Sequence, residues 1–267
     1  MLKIAYDGSC FSGWQRQPDK RTVQGTLEET LSFFTGTDVR LNGTSRTDAG
    51  VHALGQCASF TGDFSIPPEG LMTAANNRLS GGMNRKNPVG DVEILSIREM
   101  PMDFHARFSC RGKTYRYVIN NSSTKNIFRR NYAYWVPGSL DTDLMKEASS
   151  YIVGTHDFKA FQSAGGQERE TTVRTISDIR ISEEPHTDKA ESGRPAGPDR
   201  DIVIEVTGDG FLYNMVRIIT GTLVEAGQGK RTPESVRDTI ESLNRANAGH
   251  TAPAEGLYLK KIYFEGE

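Results

Sequence analysis

The stretch Asp38–Phe60, DVRLNGTSRTDAGVHALGQCASF, decides how the chain is built. Residues 38–43 are β-prone and end in an Asn42-Gly43 turn, and after a polar loop the alternating run Val51–Phe60 resumes, so the stretch reads as two strands joined by a loop. Upstream, residues 2–6 read as a strand, and residues 23–34 place Leu27, Leu31 and Phe34 at helical spacing with Glu28 and Glu29 outside, until Gly36 ends the helix. Downstream, Pro67-Pro68 opens a helix over residues 69–80, and Val92–Arg98 reads as a strand. The order β-α-β-β-α-β is that of a ferredoxin-like unit.

The second half repeats this order without obvious sequence identity. Tyr115–Asn120 reads as a strand, Asp141 caps a helix bearing Leu144, Ala148, Tyr151 and Ile152, and residues 173–182 form another strand. Ile202, Ile204 and Val206 alternate on one strand face, and a helix is expected to begin near Phe211, after the Gly208-Asp209-Gly210 turn. Thr232-Pro233 starts an additional helix, with proline at its favoured first position, and Leu257–Phe264 is the last strand. The expected fold class is therefore α+β: two ferredoxin-like units, residues 1–103 and 104–267, with a central, largely antiparallel sheet and a ligand cleft between them. Glu183–Arg200, EEPHTDKAESGRPAGPDR, has almost no apolar content and three prolines, so it reads as a mobile surface loop in which His186 is solvated.

Composition narrows the chemistry. A chain of 267 residues can bury a substantial core, and its net charge of −2 provides no whole-molecule attraction for nucleic acid, so any basic surface has to be local. Cys10, Cys57 and Cys110 are odd in number and widely spaced, which points to a reducing compartment with no disulfide framework and no zinc site. Met1-Leu-Lys-Ile-Ala-Tyr-Asp reads directly into a strand, and no segment approaches the roughly 18 consecutive apolar residues of a membrane span, so a soluble cytoplasmic protein is expected.

Within the opening stretch, Asp48 stands close to Arg46 on a tight loop at a loop-to-strand junction, where a rigid scaffold tends to hold chemistry. The plainer alternative is that Thr44, Ser45, Thr47 and Asp48 only supply side-chain oxygens to a turn. The densest basic region, Phe104–Leu140, carries Arg107, Arg111, Lys113, Arg116, Lys125, Arg129 and Arg130 without any Asp or Glu, and interleaves aromatic rings among them. That combination suits RNA, whose phosphates attract cations and whose unpaired bases stack on rings. Tyr115 and Tyr117 share a strand face opposite Arg116, placing a ring either in the core or against an extruded base. The helix after Phe211, FLYNMVRIITGTLVEA, is apolar on nearly every face, and Arg217 is its only charge before Glu225. A buried guanidinium needs an anion, and Asp48 is the partner expected for it. Gly227-Gln-Gly229-Lys230-Arg231 fails as a phosphate loop, because Val224 and Arg231 stand where Gly and Ser or Thr are needed. His52, His105, His156 and His250 are scattered singly, without metal-ligand spacing.

Arg46-Thr-Asp48-Ala-Gly50-Val-His52-Ala closely resembles the active-site motif of the bacterial-type tRNA pseudouridine synthase A family. Further blocks resemble that family in its order: Tyr6-Asp7-Gly8 with Phe11-Ser-Gly-Trp14-Gln15, Thr22-Val-Gln24-Gly25, Phe104-His-Ala-Arg107-Phe108, Tyr115-Arg-Tyr117, Gly154-Thr-His-Asp157-Phe158, Phe211 through Arg217, and Thr251 through Leu257. The resemblance covers essentially the whole chain. It implies a homodimeric, cofactor-free enzyme that isomerises uridine to pseudouridine in the tRNA anticodon arm, around positions 38 to 40. It further implies that Asp48 is the catalytic aspartate, Arg46 and Arg217 are active-site arginines, and Tyr115 is the aromatic residue at the target base. Tyr115, Arg107, Arg111, Arg116, His52 and Gln15 are the expected substrate-binding residues. Ser45 stands where the family often has Gly, and Glu255 where His is common, and neither removes a group the reaction needs. An RNA-binding module without catalysis has no use for a carboxylate among phosphate-attracting arginines, and a glycosidase would need a second positioned acid.

Overall fold

The computed structural model describes residues 1–62, 65–81, 90–165, 170–185 and 200–266. The chain divides into two compact units, Met1–Arg111 with Tyr258–Glu267, and Gly112–Leu257. In the first, the elements run β1 (Leu2–Tyr6), α1 (Val23–Thr35), β2 (Asn42–Gly43), β3 (His52–Ser59), α2 (Pro68–Leu79) and β4 (Val92–Ile97). β1 pairs antiparallel with β4 on one edge and β3 on the other. The remaining edge of β3 is shared: β2 pairs antiparallel with Ser59 and Ala58, while the final strand, β10 (Leu257–Phe264), pairs parallel with His52 and Ala53. That pairing groups Tyr258–Glu267 with the N-terminal residues, although sequence order counts them with the second half. Leu2, Ile4, Leu27, Leu31 and Leu71 are completely covered, each such burial contributing about 1.5–3 kcal/mol.

Two expectations for this unit need correction. Residues 38–41 are not a strand, because their backbone groups are taken by side chains of α1: Val39 N–H donates to Ser32 Oγ (2.9 Å), Leu41 N–H donates to Glu28 Oε1 (2.9 Å), and the Leu41 carbonyl accepts from Gln24 Nε2 (3.1 Å). Only Asn42 and Gly43 are left to pair with β3. The same bond explains why Glu28, expected outside, is buried, with Arg16 at 3.2 Å and Arg40 at 3.7 Å from its Oε2.

The second unit contains β5 (Cys110–Asn121), β6 (Tyr134–Val136), α3 (Thr142–Ser150), β7 (Gly154–Asp157), β8 (Val173–Pro185), β9 (Arg200–Gly208), α4 (Met215–Gly227) and α5 (Ser235–Ser242). The antiparallel order is β5-β9-β8-β7, and β6 pairs parallel with β5. Across the described residues the protein is thus a mixed α+β structure whose sheet pairings are mostly antiparallel. Tyr117, Ile119, Met145, Phe158, Phe161, Ile204, Ile219 and Leu223 form the centre of this unit. Asp141 Oδ1 caps α3 by accepting from the N–H groups of Asp143 and Leu144.

Helix α4 begins at Met215, later than expected, because Asn214 adopts the left-handed conformation (φ 60°) and no α-helical ladder passes through such a residue. Both ends of the stretch Glu183–Arg200, expected to be loop, are strand. Glu183, Glu184 and Pro185 pair with Ile202, Asp201 and Arg200, and Arg200 Nη1 lies 2.6 Å from Glu183 Oε2. Residues 186–199, His186 among them, lie outside the described residues. No described helix is long and apolar enough to cross a membrane.

Candidate active site

The loop from Thr44 to Val51 is fixed from within its own unit. Thr44 N–H donates to the Cys57 carbonyl (2.9 Å), and its Oγ1 donates to the Ala106 carbonyl (2.9 Å). Gln56 clasps Ser45 twice: its Oε1 accepts from Ser45 N–H (3.3 Å), and its Nε2 donates to the Ser45 carbonyl (2.7 Å). Thr47, 6% exposed, is held at both ends. Its carbonyl accepts from Trp14 N–H (3.0 Å), and its hydroxyl shares a hydrogen bond with Tyr6 Oη (2.7 Å). The approach of Trp14 requires glycine beside it: Gly13 has φ 89°, and a Cβ there would come within 2.7 Å of the Thr47 carbonyl oxygen. With Thr44, Ser45 and Thr47 buried, the intervening Arg46 is exposed and Asp48 half-buried. The hydroxyls of Thr44 and Thr47 thus bind residues remote from the loop, Ala106 and Tyr6, and this anchoring sets where Arg46 and Asp48 stand.

His52 and Gln15 flank this loop differently. His52 is 2% exposed, its Nδ1 accepts from Gly8 N–H (3.1 Å), and its ring stacks on Tyr258 with centroids 4.7 Å apart. Gln15 is exposed next to buried Trp14.

In the second unit, Arg217 sits on the first turn of α4, half-buried. Its Nε donates to the Ala252 carbonyl (2.7 Å) and its Nη1 to Asn214 Oδ1 (2.8 Å). Tyr115 is 6% exposed and meets Phe211 edge to face at 5.0 Å. Tyr117 is completely covered and donates its hydroxyl to the Pro253 carbonyl (2.7 Å). Burial first, and then the Glu255 carboxylate, push the Tyr117 hydroxyl well above the usual tyrosine range. It therefore stays a donor.

The basic stretch differs from its sequence profile. Acids from distant parts of the chain reach its arginines: Arg111 Nη2 lies 2.8 Å from Glu265 Oε2, Arg116 Nη2 donates to both carboxylate oxygens of Glu184 (3.1 and 2.9 Å), and Arg129 Nη2 is 2.5 Å from Asp201 Oδ2. Lys125 lies over the Trp135 ring and Arg107 over the Phe108 ring. Sequence spacing gave no sign of these acids, since each lies tens of residues or more away. No group of three or more His, Cys, Asp or Glu able to hold a metal ion occurs among the described residues.

Residues 3–109 and 148–265 match the family model described as tRNA pseudouridine synthase. The chain belongs to the tRNA pseudouridine synthase family. Members of this family are isomerases that make pseudouridine from uridine in tRNA, and this chain is one of them. It is 45% identical over 263 residues to tRNA pseudouridine synthase A of Acetivibrio thermocellus, covering 98% of each chain. It is 45% identical over 266 residues to tRNA pseudouridine synthase A 2 of Clostridium tetani, covering 98% of this chain and 97% of the relative. A third relative, tRNA pseudouridine synthase A of Geobacillus kaustophilus, is 43% identical over 265 residues, or 99% of this chain and 93% of its own.

Proposed function

We propose that the protein isomerises uridine to pseudouridine at positions 38, 39 and 40 of the tRNA anticodon stem-loop, after the base is flipped from its stack, with Asp48 as the catalytic carboxylate. The reaction breaks the N1–C1′ bond, rotates the freed uracil and forms a C5–C1′ bond. The proton lost from C5 is balanced by one gained at N1, so no electrons are transferred and no cofactor is called for. A carboxylate serves this chemistry as nucleophile at the sugar or as base at the ribose 2′ position. Extrusion of the base carries an unstacking cost that protein contacts must offset. In this reading Arg46 and Arg217 attend the reacting nucleotide, and Tyr115, 6% exposed, meets the uracil. Arg107, Arg111, Arg116, His52 and Gln15 bind or support the RNA.

The observation that carries the reading is the burial pattern of the loop, in which Thr44, Ser45 and Thr47 are anchored inward while Arg46 and Asp48 are not buried. Its test is Asp48→Ala incubated with an unmodified tRNA bearing anticodon-arm uridines. Pseudouridine formation is expected to fall by about 10³-fold or more, the scale on which losing a reacting group acts, and retained formation sinks the assignment.

The same reading takes each unit as ferredoxin-like, residues 1–103 carrying the catalytic loop and 104–267 the basic aromatic strand. The order β4-β1-β3-β2 with helices α1 and α2 supports this in the first half. It also takes the protein as a cytoplasmic homodimer. The exposed apolar side chains of Ile127 and Phe128, the latter 81% exposed, are suited to cover by a second copy. A monomer in sedimentation equilibrium at micromolar concentration removes the dimer.

A further inference from the structure

Arg217 is held by a two-point yoke, and one of its points is a side chain in an unusual backbone state. Asn214, the residue preceding α4, has φ 60° and ψ 8°, a left-handed conformation that glycine adopts without cost and asparagine tolerates better than most residues. Backbone geometry alone would therefore be served at least as well by glycine. The amide is used at both ends instead. Nη1 of Arg217 lies 2.8 Å from Oδ1, and Nδ2 donates to Ser163 Oγ at 3.1 Å. A guanidinium has only donors, so the oxygen of the amide must face it, and the nitrogen is then left for Ser163.

The second point is the Ala252 carbonyl, which accepts from Arg217 Nε (2.7 Å) while Ala252 N–H donates to the Arg217 carbonyl (3.1 Å). The segment carrying Ala252 is laid along α4 by further bonds: Gly249 N–H to Thr222 Oγ1 (2.9 Å) and His250 N–H to Glu225 Oε1 (3.0 Å). It lies so close that a Cβ on Gly221 would come within 1.9 Å of the His250 carbonyl oxygen. Ala252 is thus a rigid acceptor, and Asn214 is the second, which fixes the guanidinium plane. Both of these acceptors are uncharged, and together they set the direction of the guanidinium.

We propose that Asn214 is a positioning residue for Arg217, its amide oxygen and the Ala252 carbonyl together aiming the guanidinium at the reacting nucleotide. This rests on the active-site role of Arg217 proposed above. Orientation of a charged group matters most at the transition state, where small misplacements cost rate more than binding.

The test is Asn214→Gly, which keeps the left-handed backbone and removes the amide, assayed beside Arg217→Lys for pseudouridine formation on an unmodified tRNA transcript. For Asn214→Gly the expected result is a tenfold to hundredfold lower kcat, on the order of misalignment effects. KM should stay within about twofold and the melting temperature should not fall, the pattern of lost transition-state stabilisation in an intact fold. Turnover equal to wild type, or a rise in KM at unchanged kcat, overturns the proposal. If Arg217→Lys also turns over as wild type, the reading of Arg217 itself fails. If Arg217→Lys is impaired while Asn214→Gly is not, only the yoke fails.

Discussion

The loop Gly43–His52 and the acid-free stretch Phe104–Leu140 look equally purposeful in sequence, and the structure treats them in opposite ways. In the loop, the groups that hold Thr44, Ser45 and Thr47 include backbone amides and carbonyls, Gln56 and the Tyr6 hydroxyl, which are neutral. Between these anchored residues Arg46 is exposed and Asp48 half-buried. In the basic stretch, Arg111, Arg116 and Arg129 are each met by a carboxylate from elsewhere in the chain. The anchors named for the loop carry no charge, whereas each of these three arginines has a carboxylate beside it. Counting cations along a sequence therefore overstates the field that a nucleic acid meets, although exposed pairs of this kind are worth only about 0–1 kcal/mol each.

The comparison breaks most visibly if the loop's neutral anchors are disturbed. Gly13→Ala forces a Cβ to within 2.7 Å of the Thr47 carbonyl oxygen at a residue whose φ is 89°. Steric and backbone strain of this sort cost about 1–3 kcal/mol each, part of which the loop can shed by moving. The expected outcome is a protein that melts several degrees lower and forms pseudouridine about a hundredfold more slowly, since Asp48 moves with Thr47. A stable variant with wild-type turnover would show that the Trp14–Thr47 contact does not govern the position of Asp48.

A smaller effect sharpens the other half of the comparison. Arg107 lies over Phe108 and has no acidic partner among the described residues, while Arg116 is engaged by both oxygens of Glu184. If compensation decides how much each contributes, Arg107→Ala weakens tRNA binding several-fold and lowers the slope of log affinity against log salt by about 0.7–0.9. Arg116→Ala changes affinity less than about twofold and leaves the slope as it was. Equal losses in salt-titrated binding would mean that RNA displaces Glu184 and uses both arginines alike.

What was legible in the sequence follows the range of the interactions. Helices α1, α2 and α3 and strands β1, β4 and β10 are set by local periodicity and caps, such as Asp141 before α3, and they appear where the residues indicate. Residues 38–41 fail because side chains of α1 compete for their backbone groups, a contact between neighbours in space that no β-propensity encodes. The late start of α4 depends on one left-handed asparagine, for which FLYN carries no local signal. At the candidate site, the loop that carries Asp48 was legible because a turn dipeptide and a strand bracket it. The neutral anchors from Trp14 and Tyr6, the acids on the arginines and the yoke on Arg217 were not, since all come from residues remote in sequence or from backbone conformation.

Tyr134, inside the basic stretch, carries the same lesson to pH. Its hydroxyl is pushed above the usual range by burial and then by the Glu225 carboxylate, and it lies 3.2 Å from His250 Nε2. Burial alone would raise the carboxyl of Glu225. Hydrogen bonds from the His250 side chain and backbone, with those from Arg231, outweigh it and hold the group below the ordinary carboxylate value. A carboxyl whose folded value is depressed stabilises the fold above its unfolded value, about 4.3, and that contribution is lost as pH falls through the folded value. Glu225→Gln removes the charge at every pH. At pH 7 the variant should therefore melt about 2–4 °C below wild type, the shift that roughly 1 kcal/mol produces in a chain of this size, and the gap should narrow steadily as pH falls from about 5 towards 3. Melting curves of the two proteins across that window measure it directly. A gap that stays constant with pH would assign the loss to packing around the side chain instead of to its charge.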